Sequence, residues 1–171
     1  MLSSDELSAL WRQHAAALRL IARGRCGTII DGAADDCVQE AFVRLAAAEP
    51  PPREPASWLL TAVRNAAIDA LRSQRSRVRR EQTVAADRPQ WLEPVDTASM
   101  DQPSADDVQI ALQQLDDTTR DIVIAHLWND MTFRQIADAI DLSAATAHRR
   151  YEAGISQLRK LMSTAATTNE S

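Results

Sequence analysis

The chain has 171 residues, enough for one ordinary domain or two small ones, and its 45% hydrophobic and 25% charged residues indicate a globular protein. A net charge of −5 argues against a protein that coats nucleic acid nonspecifically. Two cysteines and three histidines show no zinc-site spacing, and no secretory or membrane-inserting segment is apparent. We therefore expect a cytoplasmic protein with reduced core thiols at Cys26 and Cys37, no metal, no cofactor and no membrane insertion.

The composition predicts an all-α fold, because the chain has only four glycines and is rich in strong helix formers. In the first bundle, residues 1–80, apolar residues at helical spacing predict a helix from Asp5 to about Arg25. Asp35 and Asp36 are expected to cap a second helix. The proline-rich residues 49–55 predict an exposed loop, and a third helix is predicted for residues 57–77.

The charges are distributed unevenly along the middle of the chain. Residues 64–80 contain six arginines and a single acid, whereas residues 81–107 contain seven acids and a single arginine. Helical periodicity fades over 81–107 and three prolines occur there, so we predict a flexible acidic linker between two small helical bundle domains. The composition of residues 163–171 predicts a disordered tail.

The second domain, residues 108–162, contains the pattern of a helix-turn-helix. Asp116 or Asp117 can cap one helix, and Thr132 with Gln135 matches a capping box at the start of the next. Asp141 falls where the chain needs a left-handed residue. The second helix of the motif then has apolar residues at spacings suited to burial, although a glycine at position 154 weakens the helical prediction.

The outward face of that second helix is suited to a DNA major groove, because small residues near its start allow close approach and the following basic residues can reach bases or phosphates. Helical hairpins with capped turns also occur in proteins that never bind DNA, so this pattern alone leaves the function open. The candidate residues are Ser143, Ala145, Thr146, His148, Arg149 and Arg150.

Three segments in this order resemble the extracytoplasmic-function (ECF) group of bacterial RNA polymerase sigma factors. Residues 35–45 resemble that group's polymerase-docking helix, and Trp58-Leu59-Leu60 followed by residues 64–72 resembles its helix for the −10 promoter element. Residues 132–161 resemble its helix-turn-helix for the −35 element. The recognition helix is less basic than is usual in the group, which predicts weak DNA affinity for this domain alone.

The resemblance implies a role for each segment in promoter-specific transcription initiation and promoter melting. Docking to core polymerase would involve Asp36, Gln39, Glu40 and Arg44. Contacts to the −10 element, including a pocket for a flipped base, would involve Arg53, Ser57, Arg64, Asn65, Arg72, Arg75 and Arg77. The −35 element would meet the six helix-turn-helix residues given above.

The resemblance also implies the partners. These are core RNA polymerase, through its large-subunit coiled coil and flap regions, promoter DNA, and an anti-sigma factor, to which no residue is assigned. Two alternatives remain: a helix-turn-helix transcription regulator that acts without core polymerase, and a module that binds protein only. An enzyme is not expected, because the sequence has no nucleophile constellation, acid–base pair or phosphate-binding glycine loop.

Overall fold

The structure, a computed structural model, describes residues 2–26, 32–81 and 105–168. Within these ranges every regular element is an α-helix, as the composition predicts. The helices, in chain order, are α1 (Ser4–Cys26), α2 (Ala33–Ala46), α3 (Pro55–Glu81), α4 (Ala105–Gln113), α5 (Asp117–Leu127), α6 (Phe133–Ile140) and α7 (Ala144–Thr168).

The N-terminal bundle consists of α1, α2 and α3, which pack against one another. Its fully buried side chains come from all three helices, because each has apolar residues three and four positions apart on one face. The ring of Trp11 on α1 meets that of Phe42 on α2 edge-on, with centroids 4.8 Å apart. The largest buried side chains in this bundle are Leu18, Ile21, Val38, Leu45, Leu59, Leu60 and Val63.

The predicted first helix is confirmed, since α1 runs from Ser4 to Cys26. Two other local predictions in this bundle are wrong in detail. Gly32, at a left-handed φ of 79°, occupies the N-cap of α2, so Asp35 and Asp36 stand in its first turn and cap nothing through their side chains. Pro55 begins α3 instead of ending the loop, since proline suits the first helical turn.

The C-terminal bundle consists of α4 to α7, and its predicted caps are confirmed. The Asp116 side chain accepts a hydrogen bond from the Thr119 backbone N–H at 3.1 Å, and Thr132 and Gln135 form the complete capping box. Asp141 ends α6 in the left-handed conformation, at φ 58° and ψ 52°. Ser143 Oγ accepts from the Thr146 N–H at 3.1 Å and so caps α7.

Gly154 explains how closely α5 and α7 approach each other. A Cβ atom at this position would lie 2.7 Å from Thr119 Cγ2 and 2.9 Å from Val123 Cγ2, both on α5. The glycine that weakens the helical prediction is therefore required by packing, because any side chain would push the two helices apart.

The two bundles also pack against each other, whereas the sequence predicts two domains joined by a flexible linker. Helix α1 contacts α5, and α3 contacts α6. The predicted linker, residues 81–107, lies mostly outside the described residues, which include only its ends in α3 and α4. The tail expected to be disordered from residue 163 instead continues α7 to Thr168, because no glycine or proline interrupts the helix there.

Candidate nucleic-acid interface

Helices α6 and α7 form the helix-turn-helix, joined by residues 141–143. Ala147 on α7 is fully buried and Leu158 is buried, so α7 presents its opposite face outward. Ser143, Ala145, His148 and Arg149 are exposed on that face, and Thr146 is half-buried. The start of α7 therefore has small side chains together with Arg149, for which the described contacts give no partner. A helix end of this kind suits insertion into a DNA major groove.

Two of the six candidate residues, His148 and Arg150, contact residues on other parts of the C-terminal bundle. Arg150 Nη1 lies 3.3 Å from Asp116 Oδ1, an ion pair that ties α7 to the start of α5. The pKa of Asp116 is lowered, because hydrogen bonds from Thr119 and the charge of Arg150 outweigh its partial burial, which acts to raise it. The ring of His148 packs edge-on against Phe133 at 4.9 Å. Of His148, Arg149 and Arg150, Arg149 is therefore the one left exposed without a described contact to another helix.

Helix α2 presents the four predicted docking residues to solvent. Asp36, Gln39, Glu40 and Arg44 are all exposed, and Glu40 and Arg44 form an ion pair one helical turn apart. Val43 lies on the same side with 68% of its surface exposed. An exposed apolar side chain surrounded by charges is a common composition for a reversible protein interface.

The seven residues predicted to contact the −10 element fall into two groups, one exposed and one covered. Asn65 and the arginines toward the end of α3 are exposed, as is the loop residue Arg53, so they are accessible to DNA. The remaining two, Ser57 and Arg64, face the C-terminal bundle. The exposed arginines on α3 are Arg72, which lies 3.6 Å from Asp69, Arg75 and Arg77.

Ser57 and Arg64 are covered by the C-terminal bundle. Ser57 Oγ donates to the backbone carbonyl of Gln135 on α6 at 3.1 Å, and only 8% of Ser57 is exposed. Arg64 Nε donates to Asp121 Oδ2 on α5 at 2.9 Å, and its side chain is 16% exposed. In this arrangement neither side chain can reach DNA.

A cluster of three charged side chains lies between the bundles, and we call Arg25, Arg64 and Asp121 the interdomain ion cluster. Arg25 Nε also donates to Asp121 Oδ2, at 2.9 Å. The Asp121 side chain has no exposed surface, and that of Arg25 is 8% exposed. Burial raises the pKa of the Asp121 carboxyl, and the guanidinium groups of Arg25 and Arg64 act against that rise.

Sequence reasoning misses this cluster, because Arg64 and Arg25 lie 57 and 96 residues away from Asp121 in the chain. One signal was available: Asp121 directly precedes the apolar run Ile122-Val123-Ile124-Ala125, all of it buried. An acid beside such a run has to find a partner if it is buried. Nothing in the sequence identifies that partner.

Comparison with known proteins identifies the two bundles. The family model for sigma-70 region 2 matches residues 10–77, and that for sigma-70 region 4 matches residues 111–160. These two regions lie in the N-terminal and C-terminal bundles, respectively. The chain therefore belongs to the sigma-70 family. Within that family it is a member of the ECF group of sigma factors.

Two curated relatives support the group assignment. The probable ECF RNA polymerase sigma factor SigI of Mycobacterium tuberculosis is 31% identical over 163 residues, covering 87% of this chain and 54% of the relative. The ECF RNA polymerase sigma factor SigK of Mycolicibacterium vanbaalenii is 31% identical over 121 residues, covering 64% and 56%. The chain thus spans about half the length of the curated relatives it matches.

One solved structure shares the fold. The sigma factor RpoE from Bartonella quintana, crystallised in complex with the anti-sigma factor NepR, superposes with a TM-score of 0.65 at 22% identity. The match covers 93% of this chain and 95% of that one.

Two further findings concern the described residues alone. Over residues 2–26, 32–81 and 105–168, no helix has the length and apolar character needed to cross a bilayer. In the same ranges, histidine, cysteine and acidic side chains nowhere gather in a group of three that could hold a metal ion.

Proposed function

We propose that this chain directs bacterial core RNA polymerase to specific promoters and assists promoter melting, without catalysing a reaction itself. The observation that supports this most is the presence, in one chain, of three exposed surfaces. They are the polar face of α2, the arginine-bearing end of α3 and the outward face of α7. A DNA-binding regulator needs only the last of these, and a protein-binding module needs only the first.

The proposed partners follow from the chemistry of the surfaces. The face of α2 would dock on the large-subunit coiled coil of the polymerase, and the C-terminal bundle would lie near the flap. Arginines on α3 would hold backbone phosphates of the −10 element, and Asn65 offers both donors and acceptors to a base edge. Arg149 and its neighbours would contact the −35 element. Each contact is modest, so the polymerase must hold both bundles at high effective concentration.

An anti-sigma factor is a further proposed partner, as in the solved complex of RpoE with NepR. The proposed place of action is the cytoplasm, where the polymerase transcribes. Neither proposal assigns residues beyond those given above.

A transcription assay tests the function. Sigma-free core polymerase would be mixed with the chain and with a library of bacterial genomic fragments, and transcript 5′ ends would be sequenced. We expect start sites preceded by two shared sequence blocks about one to two DNA turns apart. A helix-turn-helix regulator would bind duplex DNA without core polymerase and would add no transcripts. A protein-only module would neither bind DNA nor add transcripts.

Glu40 provides a sharper test of the docking surface. Replacing it, Glu40→Lys, should weaken binding to core polymerase at least about tenfold, because a cation replaces an acid at the centre of the proposed interface. The change lies on an exposed helical face and removes one surface ion pair, so stability should change by no more than about 0.5 kcal/mol. The measurement is the affinity for core by fluorescence titration.

Glu49→Lys is the matched control, since it makes the same charge change at an exposed position outside α2. Equal affinities for the Glu40 variant and the unchanged chain would rule out this docking face.

A further inference from the structure

We propose that Glu152 selects a cytosine in the −35 element, and that His148 positions its carboxylate for that contact. The inference rests on the proposed function and deepens it, because it concerns the outward face of α7. Glu152 is the one acid in the sequence of α7. A helix face that meets DNA phosphates is expected to carry cations, so an acid there needs a physical reason.

Glu152 lies at the centre of the outward face of α7. At 3.6 residues per turn, a stripe about 60° wide along this face contains four exposed residues, Ala145, Arg149, Glu152 and Ser156. Ala147 and Gly154 are buried on the opposite side of the helix. Glu152 lies about 12 Å from the start of α7, at 1.5 Å per residue, which is close to the width of a DNA major groove. A placement that brings Arg149 to a base edge therefore brings Glu152 to one as well.

His148, one helical turn earlier, orients the Glu152 side chain. His148 Nδ1 lies 3.6 Å from Glu152 Oε2, and the two side chains are 52% and 66% exposed. The His148 ring packs edge-on against the ring of Phe133 on α6, with centroids 4.9 Å apart. The carboxylate is therefore held on the outward side of the helix while it stays accessible to a ligand.

Two further rings anchor Phe133. It stacks on His126 of α5, with centroids 4.2 Å apart, and meets Tyr151 of α7 edge-on at 5.3 Å. His126 in turn donates through Nδ1 to the carbonyl of Met131 at 2.8 Å. These contacts join α5, α6 and α7, so the packing of the bundle fixes the place of His148. An acceptor oriented in advance loses less conformational freedom when it binds.

A carboxylate at this position lowers the affinity of α7 for most DNA sequences. The DNA phosphates repel it, and an acid on the binding face reduces the counterion release that drives binding. This cost is offset only where the major groove presents a hydrogen-bond donor, and the amino groups of cytosine and adenine are the donors there. Glu152 therefore contributes to specificity by disfavouring sequences that lack such a donor.

Cytosine suits this carboxylate better than adenine. The amino group of adenine adjoins N7, an acceptor that repels a carboxylate oxygen, whereas the major-groove edge of cytosine has no acceptor of its own. The guanine paired with a cytosine presents two acceptors, O6 and N7, which suit the guanidinium of Arg149. Side chains three positions apart on a helix are neighbours, with Cβ atoms about 5–6 Å apart, so Arg149 and Glu152 can contact adjacent base edges.

Selection from a randomised promoter tests Glu152 in the holoenzyme formed from the full chain and core polymerase. The upstream sequence block of a promoter found by the transcription assay would be randomised, and the DNA retained by the holoenzyme would be sequenced. With the unchanged chain, one position should favour cytosine over the other bases by at least about fivefold. Glu152→Ala should abolish this preference. Glu152→Gln should move it to adenine, because a glutamine amide can bond adenine N6 and N7 together.

Asp138→Asn is the matched control, since it neutralises an exposed acid on α6 of the same bundle. It should leave the base preference at every position as it is in the unchanged chain. Circular dichroism should give equal helix content for all these variants, because Glu152 and Asp138 are both exposed.

A double-mutant cycle tests the positioning role of His148. If His148 acts through Glu152, His148→Ala should reduce the cytosine preference at least about twofold in the unchanged chain and should have no effect on that position in Glu152→Ala. A loss of preference at a different base position would instead indicate that His148 contacts DNA itself, and would overturn its positioning role.

The selection also separates this inference from the proposed function. Identical base preferences for the unchanged chain, Glu152→Ala and Glu152→Gln would overturn the inference and leave the proposed function intact. If the unchanged chain forms no holoenzyme that retains promoter DNA, the proposed function is refuted and the inference fails with it.

Discussion

Cys26 and Cys37 show how burial sets the chemistry of single residues. Both thiols are buried, that of Cys26 at the end of α1 and that of Cys37 on α2, and Cys26 donates weakly to the Ala67 carbonyl on α3 at 3.7 Å. Burial raises the pKa of Cys26, and it raises that of Cys37 to about 12, with the nearby Cys26 and the acids Asp36 and Glu40 adding to the effect. Since the thiolate is the reactive form, these are inert core residues at neutral pH.

Thiol titration checks this. At pH 8 in the folded protein, Cys37 should react with an aromatic disulfide reagent about a thousandfold more slowly than an unperturbed cysteine, because so little thiolate is present. Denaturant at pH 8 should restore the ordinary rate, because unfolding returns the thiol to water. Complete modification of the native protein within the mixing time would contradict the assignment.

At the scale of helices, the approach of α5 to α7 depends on Gly154. Helix propensity alone favours alanine over glycine by about 1 kcal/mol, whereas a Cβ here would overlap the methyl groups of Thr119 and Val123. Overpacking of a well-filled interior typically costs about 1–3 kcal/mol. Packing should therefore outweigh propensity.

Gly154→Ala is expected to lower the free energy of unfolding by up to about 2 kcal/mol, measured by urea denaturation. Ser156→Ala is the control, because it adds helix propensity at an exposed position of the same helix and should leave stability equal or slightly higher. A Gly154 variant more stable than the unchanged protein would show that α5 and α7 lie farther apart than described.

At the scale of the whole molecule, the contacts between the bundles should couple their stabilities. His14 lies on α1 and its hydrogen-bond partner Asn129 lies beyond the end of α5, 115 residues away in sequence. Loss of the imidazole would leave the buried Asn129 oxygen without this donor, a loss that costs about 1–3 kcal/mol. Because Asn129 belongs to the C-terminal bundle, part of this free-energy cost destabilises the bundle that does not contain the substitution.

Hydrogen exchange measures this coupling. In His14→Ala, backbone amides of α5 should exchange faster than in the unchanged protein, by about fivefold or more, whereas Gln13→Ala at the exposed neighbouring position should have no effect. If exchange in α5 is unchanged while α1 is destabilised, the two bundles fold independently.

The sequence by itself determined the helices, the caps in the C-terminal bundle and the exposed faces of α2 and α7. Apolar spacing, the capping box at Thr132 and Gln135, and the left-handed Asp141 are local properties, because they depend on residues within one or two helical turns. The exposure of the α2 and α7 faces follows from the same spacing. The role of each surface in binding stays a prediction.

Only the tertiary structure decided how the bundles meet and which candidates they cover. The partners of Asp121 lie on two other helices far away in the sequence, and the need for Gly154 arises from atoms on α5. No periodic pattern along the chain encodes such contacts, because they depend on the relative placement of helices that fold around separate cores. For the same reason Ser57 and Arg64, two of the residues predicted to contact the −10 element, lie inside a protein interface in the fold.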